Sequence, residues 1–286
     1  MRRCRSTTSP GKAVPVTTRS EPMPSSAYTA LGNDNYQSSL LTRGPWHPRH
    51  QHAGPPIALV CGVIEQAAAK HKLTHISRLT ANLLRPVPIS QLTVEVTEDY
   101  VGRNTGHFSA RLIAEEKEVA RFTALAQREN DVPIPDGLPG HPLPKATQGP
   151  ESSPLATFPF AGRHVGYSDF VEARVAKGEF FRGPSAIWFR LRHPLVETEE
   201  PSAYQRVAVA ADSGNGISAI LDFKTYNFVN SDLTINLLRR PQGEWICVDA
   251  ATYIGPNGSA LAESRLFDEQ GMIGRATQSL VVRKIT

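Results

Sequence analysis

The hydrophobic pattern changes period along the chain, and the changes mark its elements. After His52-Ala53-Gly54-Pro55-Pro56, residues Ile57 to Ile64 are almost continuously apolar. Proline is tolerated in the first turn of a helix, where N–H groups lack partners anyway, so this segment predicts a helix buried on most sides. Leu92, Val94 and Val96 then alternate with polar residues, as do Phe108, Ala110 and Leu112. That period of two predicts strands. Ala114-Glu115-Glu116-Lys117 reads as a hairpin tip before a strand over Val119–Gln127. A second series follows. Ala203–Asp212 is a short apolar helical run, and Gly214-Asn215-Gly216 reads as a break. Leu233–Leu238, Trp245–Tyr253, Ser259–Phe267 and Gly274–Arg283 read as strands, with Asp268-Glu269-Gln270-Gly271 as a second hairpin tip.

The two series are copies. Arg78-Leu-Thr-Ala-Asn-Leu-Leu-Arg-Pro86 matches Asp232-Leu-Thr-Ile-Asn-Leu-Leu-Arg-Arg-Pro241, and Arg121 and Arg275 keep the same offset of 154 as Arg85 and Arg239. Two copies are too few for a solenoid, so they predict two similar folds packed as an internal pseudo-dimer. The expected class is α+β, with each antiparallel sheet wrapped around its own helix and the sheets joined edge to edge. The expected organisation is a basic tail over 1–26, a first copy over 27–130, a linker over 131–159 and a second copy over 160–286. Eight prolines in the linker argue against a regular element there.

Composition alters this picture little. Hydrophobic residues make up 40% of the 286 and charged residues 20%, as expected of a soluble globular protein. The net charge of +4 sits in the tail, where Arg2, Arg3, Arg5, Lys12 and Arg19 face only Glu21. Nucleic acid is therefore not an expected partner. The tail has no apolar core of a secretory signal, reads as disordered, and leaves Met23 as an alternative start. No segment reaches the roughly 20 apolar residues of a membrane span, so no membrane association is expected. Cys61 and Cys247 read as buried thiols, and a cysteine count this low suits a reducing, cytoplasmic compartment.

The duplication supplies an internal control for chemistry. A residue that the fold requires should recur in both copies, whereas one required by chemistry need occur only once. Gln278 is in phase with Ala276, Leu280 and Val282 on an apolar face, and its counterpart is Ala124. An unpartnered buried amide costs roughly 2–7 kcal/mol, so something polar should face it; a core amide bonded to a strand carbonyl is the bland reading. Asp212 closes the second helical run, where the helix dipole opposes a carboxylate, and it also reads as a turn-forming residue. Asn230 lies just before the next strand. Thr234 has a twin in Thr80, which points to a structural role. Asp212, Asn230 and Gln278 together offer a base and two groups able to hold water or a carbonyl. His52 could touch a ligand or serve as a structural histidine, and the backbone N–H groups of Ala53 and Gly54 could polarise a carbonyl. No P-loop, His-Glu-x-x-His, Gly-x-Ser-x-Gly or Cys-x-x-Cys is present, and no metal or cofactor is expected.

Gly44-Pro45-Trp46, Gln51-His52-Ala53-Gly54-Pro55-Pro56, Ala211-Asp212, Asn230-Ser231-Asp232-Leu233-Thr234, Gly243-Glu244-Trp245 and Gly274-Arg275-Ala276-Thr277-Gln278 resemble the acyl-CoA thioesterase II family and its double-hotdog relatives over about residues 30–285. The resemblance implies a double hotdog fold, hydrolysis of fatty acyl-CoA to fatty acid and CoA, and an Asp, a hydroxyl residue and a Gln around the attacking water. The Asp corresponds to Asp212 and the Gln to Gln278. The hydroxyl position falls on Asn230, with Thr234 the nearest hydroxyl that could replace it. The family's His-Gly-Gly is His52-Ala53-Gly54 here. The competing readings are a non-catalytic acyl-CoA or lipid binder on the same scaffold and, last, a hydratase, whose Asp-x-Asn-x-x-His spacing is absent. The pattern leaves a homo-oligomer open.

Overall fold

The computed structural model describes residues 21–285. Its elements in chain order are β1 (Tyr28–Gly32), β2 (Asn35–Ser38), α1 (Gly54–Ala69), β3 (His75–Leu83), β4 (Gln91–Val101), β5 (Thr105–Ala114), β6 (Lys117–Gln127), β7 (Leu155–Ala156), α2 (Tyr167–Phe170), β8 (Val171–Lys177), β9 (Ser185–Leu191), α3 (Ala203–Ala211), α4 (Gly214–Ile217), β10 (Tyr226–Asn230), β11 (Asp232–Leu237), β12 (Ile246–Ile254), β13 (Ser259–Asp268) and β14 (Gly271–Lys284). The strands form one sheet in the order β1-β2-β4-β5-β6-β3-β11-β14-β13-β12-β9-β8-β7, with β10 also pairing β14. This is the expected double hotdog, two antiparallel sheets joined at the β3–β11 edge.

The register at that edge fixes the symmetry. Thr234 faces Thr80, Asp232 faces Asn82 and Asn236 faces Arg78. The offset of 154 carries Thr80 to Thr234, Asn82 to Asn236 and Arg78 to Asp232, so a local two-fold axis runs through the threonine pair. The pairing consumes the N–H and C=O groups that either edge alone would leave open.

The two sheets do not enclose separate cores. A single apolar cluster includes Ile57 and Ile64 of α1, Phe108 and Phe122 of the first copy, and Val207, Ala211, Leu233 and Val248 of the second. The reason is that α1 is apolar on most sides and must bury the face its own sheet leaves open. That face meets α3. At Gly62 of α1 a Cβ would lie 2.1 Å from Nε2 of Gln205, so the helices touch through a position with no side chain. Likewise, a Cβ on Gly54 would lie 2.8 Å from the carbonyl oxygen of Val209. The start of α1 therefore lies against the end of α3.

Besides β1, β2, α2 and β10, which the periodicity did not mark, other features depart from the sequence expectation. The Gly214-Asn215-Gly216 break is the short helix α4. Strands β8 and β9 extend the second sheet beyond the elements read from alternation, because Ala186, Ile187, Trp188 and Phe189 are buried on both faces and show no period of two. The linker contains β7, since residues 155–158 lie between Pro154 and Pro159 and keep their N–H groups. Of the expected tail, residues 1–20 lie outside the described residues, whereas Glu21 pairs with Arg43 at 3.1 Å and Ser26 is buried. Cys61 and Cys247 are buried free thiols, and burial pushes both thiols up. No helix among the described residues is long and apolar enough to cross a membrane.

Candidate functional site

Helix α3 owes its start to a capping box in which Ser202 Oγ accepts from the N–H of Gln205 at 3.1 Å and Gln205 Oε1 accepts from the N–H of Ser202 at 2.9 Å. Its apolar run is buried, and Asp212 is its C-terminal cap. The dipole of α3 disfavours a carboxylate there, so side chains must hold it. Asp212 is 4% exposed; its Oδ1 accepts from Nδ2 of Asn230 at 3.0 Å and its Oδ2 lies 2.9 Å from Nδ1 of His52. The N–H of Gly54 also points at this Nδ1 from 3.3 Å, but the carboxylate oxygen is the nearer group, and an Nδ1–H donating to Asp212 is the arrangement that satisfies the shorter contact.

His52 arrives from the start of α1, and its ring stacks on Tyr167 with centroids 3.7 Å apart and planes 4° apart. The Tyr167 hydroxyl donates to the carbonyl of Val209 at 3.1 Å and accepts from Ser213 Oγ at 2.9 Å, which ties the ring to the end of α3. Burial pushes its phenol up, and the nearby Asp212 carboxylate adds to that shift against the Ser213 hydrogen bond. Tyr167 therefore serves as a neutral platform. Sequence reasoning missed Tyr167, because no periodicity drew attention to that position.

A cavity of about 390 Å³ opens onto this cluster, lined by His52, Ala53, Asp212 and Asn230 among others. Gln278 and Thr234 are not among the residues lining it. Gln278 is 2% exposed and sits behind the Asp212 turn: its Nε2 donates to the backbone carbonyl of Asp212 at 3.2 Å, and its Oε1 accepts from the N–H of Asn215 at 2.9 Å. The amide thus clamps the main chain that presents the carboxylate and does not bond the carboxylate itself. Thr234 Oγ1 donates to Thr80 Oγ1 at 3.2 Å, across the local two-fold. The structure therefore brings His52, Asp212 and Asn230 together, joins Gln278 to them through backbone, and holds Thr234 at the sheet junction. Gly54 meets the backbone of α3 behind this face.

The copies differ here in a physically interpretable way. In the second copy Gln278 faces Ala262 across β13 and β14. At the equivalent place in the first copy Ala124 faces Phe108, a fully buried ring. The large buried side chain of the pair thus sits on the neighbouring strand in the first copy and on β14 in the second.

Gly214 makes the clamp possible. A Cβ there would lie 2.8 Å from Ser264 Oγ and 2.9 Å from Gln278 Oε1. Gly214→Ala is expected to displace the amide and shift the Asp212 turn, lowering kcat by about ten- to a hundredfold with a smaller change in KM. Steady-state kinetics check this, and a thermal melt of the variant separates lost positioning from lost structure.

No group of three His, Cys, Asp or Glu among the described residues is arranged to hold a metal ion.

The acyl-CoA thioesterase N-terminal domain matches residues 42–127, and the acyl-CoA thioesterase C-terminal domain matches residues 135–282. No curated protein matches the chain. Among solved structures, the fold is similar to that of a thioesterase II candidate from Thermobifida fusca YX, with TM-score 0.70, 13% identity, and 92% of this chain and 99% of that one covered. It is also similar to a conserved hot dog fold protein of unknown function from Alicyclobacillus acidocaldarius, with TM-score 0.65, 14% identity and coverage of 90% and 96%. A third is the acyl-CoA thioesterase II TesB2 from Mycobacterium marinum, with TM-score 0.60, 16% identity and coverage of 91% and 96%. At these identities the likeness is one of fold.

Proposed function

The chain belongs to the acyl-CoA thioesterase family and is a thioester hydrolase, and we propose that it cleaves acyl-CoA to free acid and CoA by carboxylate-assisted attack of water, with fatty acyl-CoA included in its range. The observation that carries this reading is the buried carboxylate of Asp212, which faces a cavity and is oriented through both oxygens by neighbouring side chains. Each carboxylate oxygen keeps a second lone pair after accepting from Asn230 or His52, so Asp212 can still take a proton from water.

In the proposed reaction the water oxygen bonds to the thioester carbonyl carbon as its proton passes to Asp212. Asn230 holds the water through its side-chain carbonyl, in the role that the resemblance gives to a hydroxyl. The backbone N–H of Ala53, beside the positive end of α1, stabilises the oxyanion; Pro55 and Pro56 contribute no donors. Collapse breaks the C–S bond, and the proton on Asp212 passes to the departing sulfur. Gln278 is a positioning residue in this scheme.

The test is a panel of acyl-CoA esters from short to long, followed by free thiol. Time-dependent, enzyme-proportional thiol release supports hydrolysis. Saturable binding without release would favour the non-catalytic binder. Thr234→Val serves as a control: turnover is expected to stay within about twofold and stability to fall by about 1 kcal/mol or less, the value of one neutral hydrogen bond. A tenfold loss of kcat in that variant would assign Thr234 a hydroxyl role at the cavity.

A further inference from the structure

Resting on the thioesterase reading, we propose that the acyl group this cavity selects carries an aromatic ring. The first copy lines the cavity with Leu83, Leu84 and Val87 as well as Trp46, whereas Phe158 comes from the proline-rich connector and Phe160 and Phe181 from the start of the second copy. The three phenylalanine rings form, with Phe180, a connected edge-to-face set. Phe158 lies 5.2 Å from Phe180 at 68°, Phe180 lies 4.5 Å from Phe181 at 74°, and Phe160 lies 6.4 Å from Phe181 at 85°. Trp46 stands at the same cavity, 66% exposed, with its ring 5.5 Å from Phe223.

Phe181 is held in the left-handed backbone region, at φ 63°. A bulky side chain rarely adopts that conformation, and the surrounding structure must compensate its cost. The strained backbone places the Phe181 ring beside Gly216, where a Cβ would lie 3.5 Å from it, four residues beyond Asp212. A saturated chain gains area and dispersion from any apolar wall, aliphatic or aromatic. Edge-to-face rings add an electrostatic term that only an aromatic guest can share, worth a factor of about two to ten in favourable pairs.

The test compares 3-phenylpropionyl-CoA with nonanoyl-CoA, which have equal numbers of acyl carbons. The wild-type chain is expected to show kcat/KM about two- to tenfold higher for the aryl substrate. The ratio should fall toward one in Phe160→Leu and in Phe181→Leu, whatever their absolute rates. In parallel, non-hydrolysable thioether analogues of both are titrated against the fluorescence of Trp46, the exposed member beside buried Trp188 and Trp245. Tighter binding of the aryl analogue supports the cage independently of turnover. A ratio at or below one, with nonanoyl-CoA turned over, overturns the aromatic preference and leaves the hydrolase intact. Failure to release thiol from either ester, with the aryl analogue still bound more tightly, would instead overturn the hydrolytic reading and keep the cage.

Discussion

Replacing Asp212 with asparagine is expected to cut the rate of thiol release by about 10²–10⁴-fold, the usual contribution of a positioned general base. The fold should survive, because asparagine is nearly isosteric. Its carbonyl oxygen can still accept from Asn230, and its amino group can donate to His52 Nδ1 once the ring adopts the other tautomer. The variant thus removes proton acceptance while keeping the contacts that position the group at 3.0 and 2.9 Å. A thermal melt alongside the kinetics separates lost chemistry from lost structure. Turnover equal to wild type in a folded variant would falsify the assignment of Asp212 as the base.

The largest effect on stability is expected far from the cavity, at the β13–β14 hairpin. The Asp268 side chain is fully buried and binds Arg239 through two contacts of 2.6 Å. It also accepts from the N–H groups of Gln242, Gln270 and Gly271. Burial alone would raise this carboxyl, but Arg239 and the N–H groups of Gln242 and Gln270 outweigh it and hold it below the usual carboxylate range. Asp268→Asn keeps the shape but cannot match these bonds, and should cost about 3 kcal/mol, the low end for a broken buried pair because Arg239 is partly solvated. That corresponds to a Tm lower by roughly 5–10 °C.

The pH dependence follows from the lowered folded-state value. The carboxylate's contribution is fully present above the unfolded value of about 3.9 and is lost as pH falls through the folded one. The gap in Tm between wild type and variant should therefore be wide at neutral pH and narrow progressively below about pH 4. A gap independent of pH would mean that the loss comes from packing.

Much of the scaffold was legible because its signals are local. The alternation in β4, β5, β13 and β14 reports one buried face, and Pro55 and Pro56 mark the start of α1. The offset of 154 was enough to imply the pseudo-dimer, and the Thr80–Thr234 pairing is its direct consequence. Strands β8 and β9 were not legible, since a strand buried on both faces loses its alternation.

Comparing the copies singled out Gln278, whose counterpart Ala124 shows that the fold accepts alanine there, while Asp212 stood out as a carboxylate placed against a helix dipole. What that comparison could not decide was the division of labour among them. His52 meets Asp212 only because α1 and α3 pack side by side, the start of one against the end of the other, at Gly54 and Gly62, an approach that depends on two absent side chains in α1 facing a helix far away in sequence. Gln278 bonds backbone and not the carboxylate only because α4 turns the chain back over β14 at Gly214. The ring of Phe158 reaches the cavity only once the connector folds back onto the second copy. Sequence periodicity records which face of an element is buried, while hydrogen-bond partners are set by where distant faces meet.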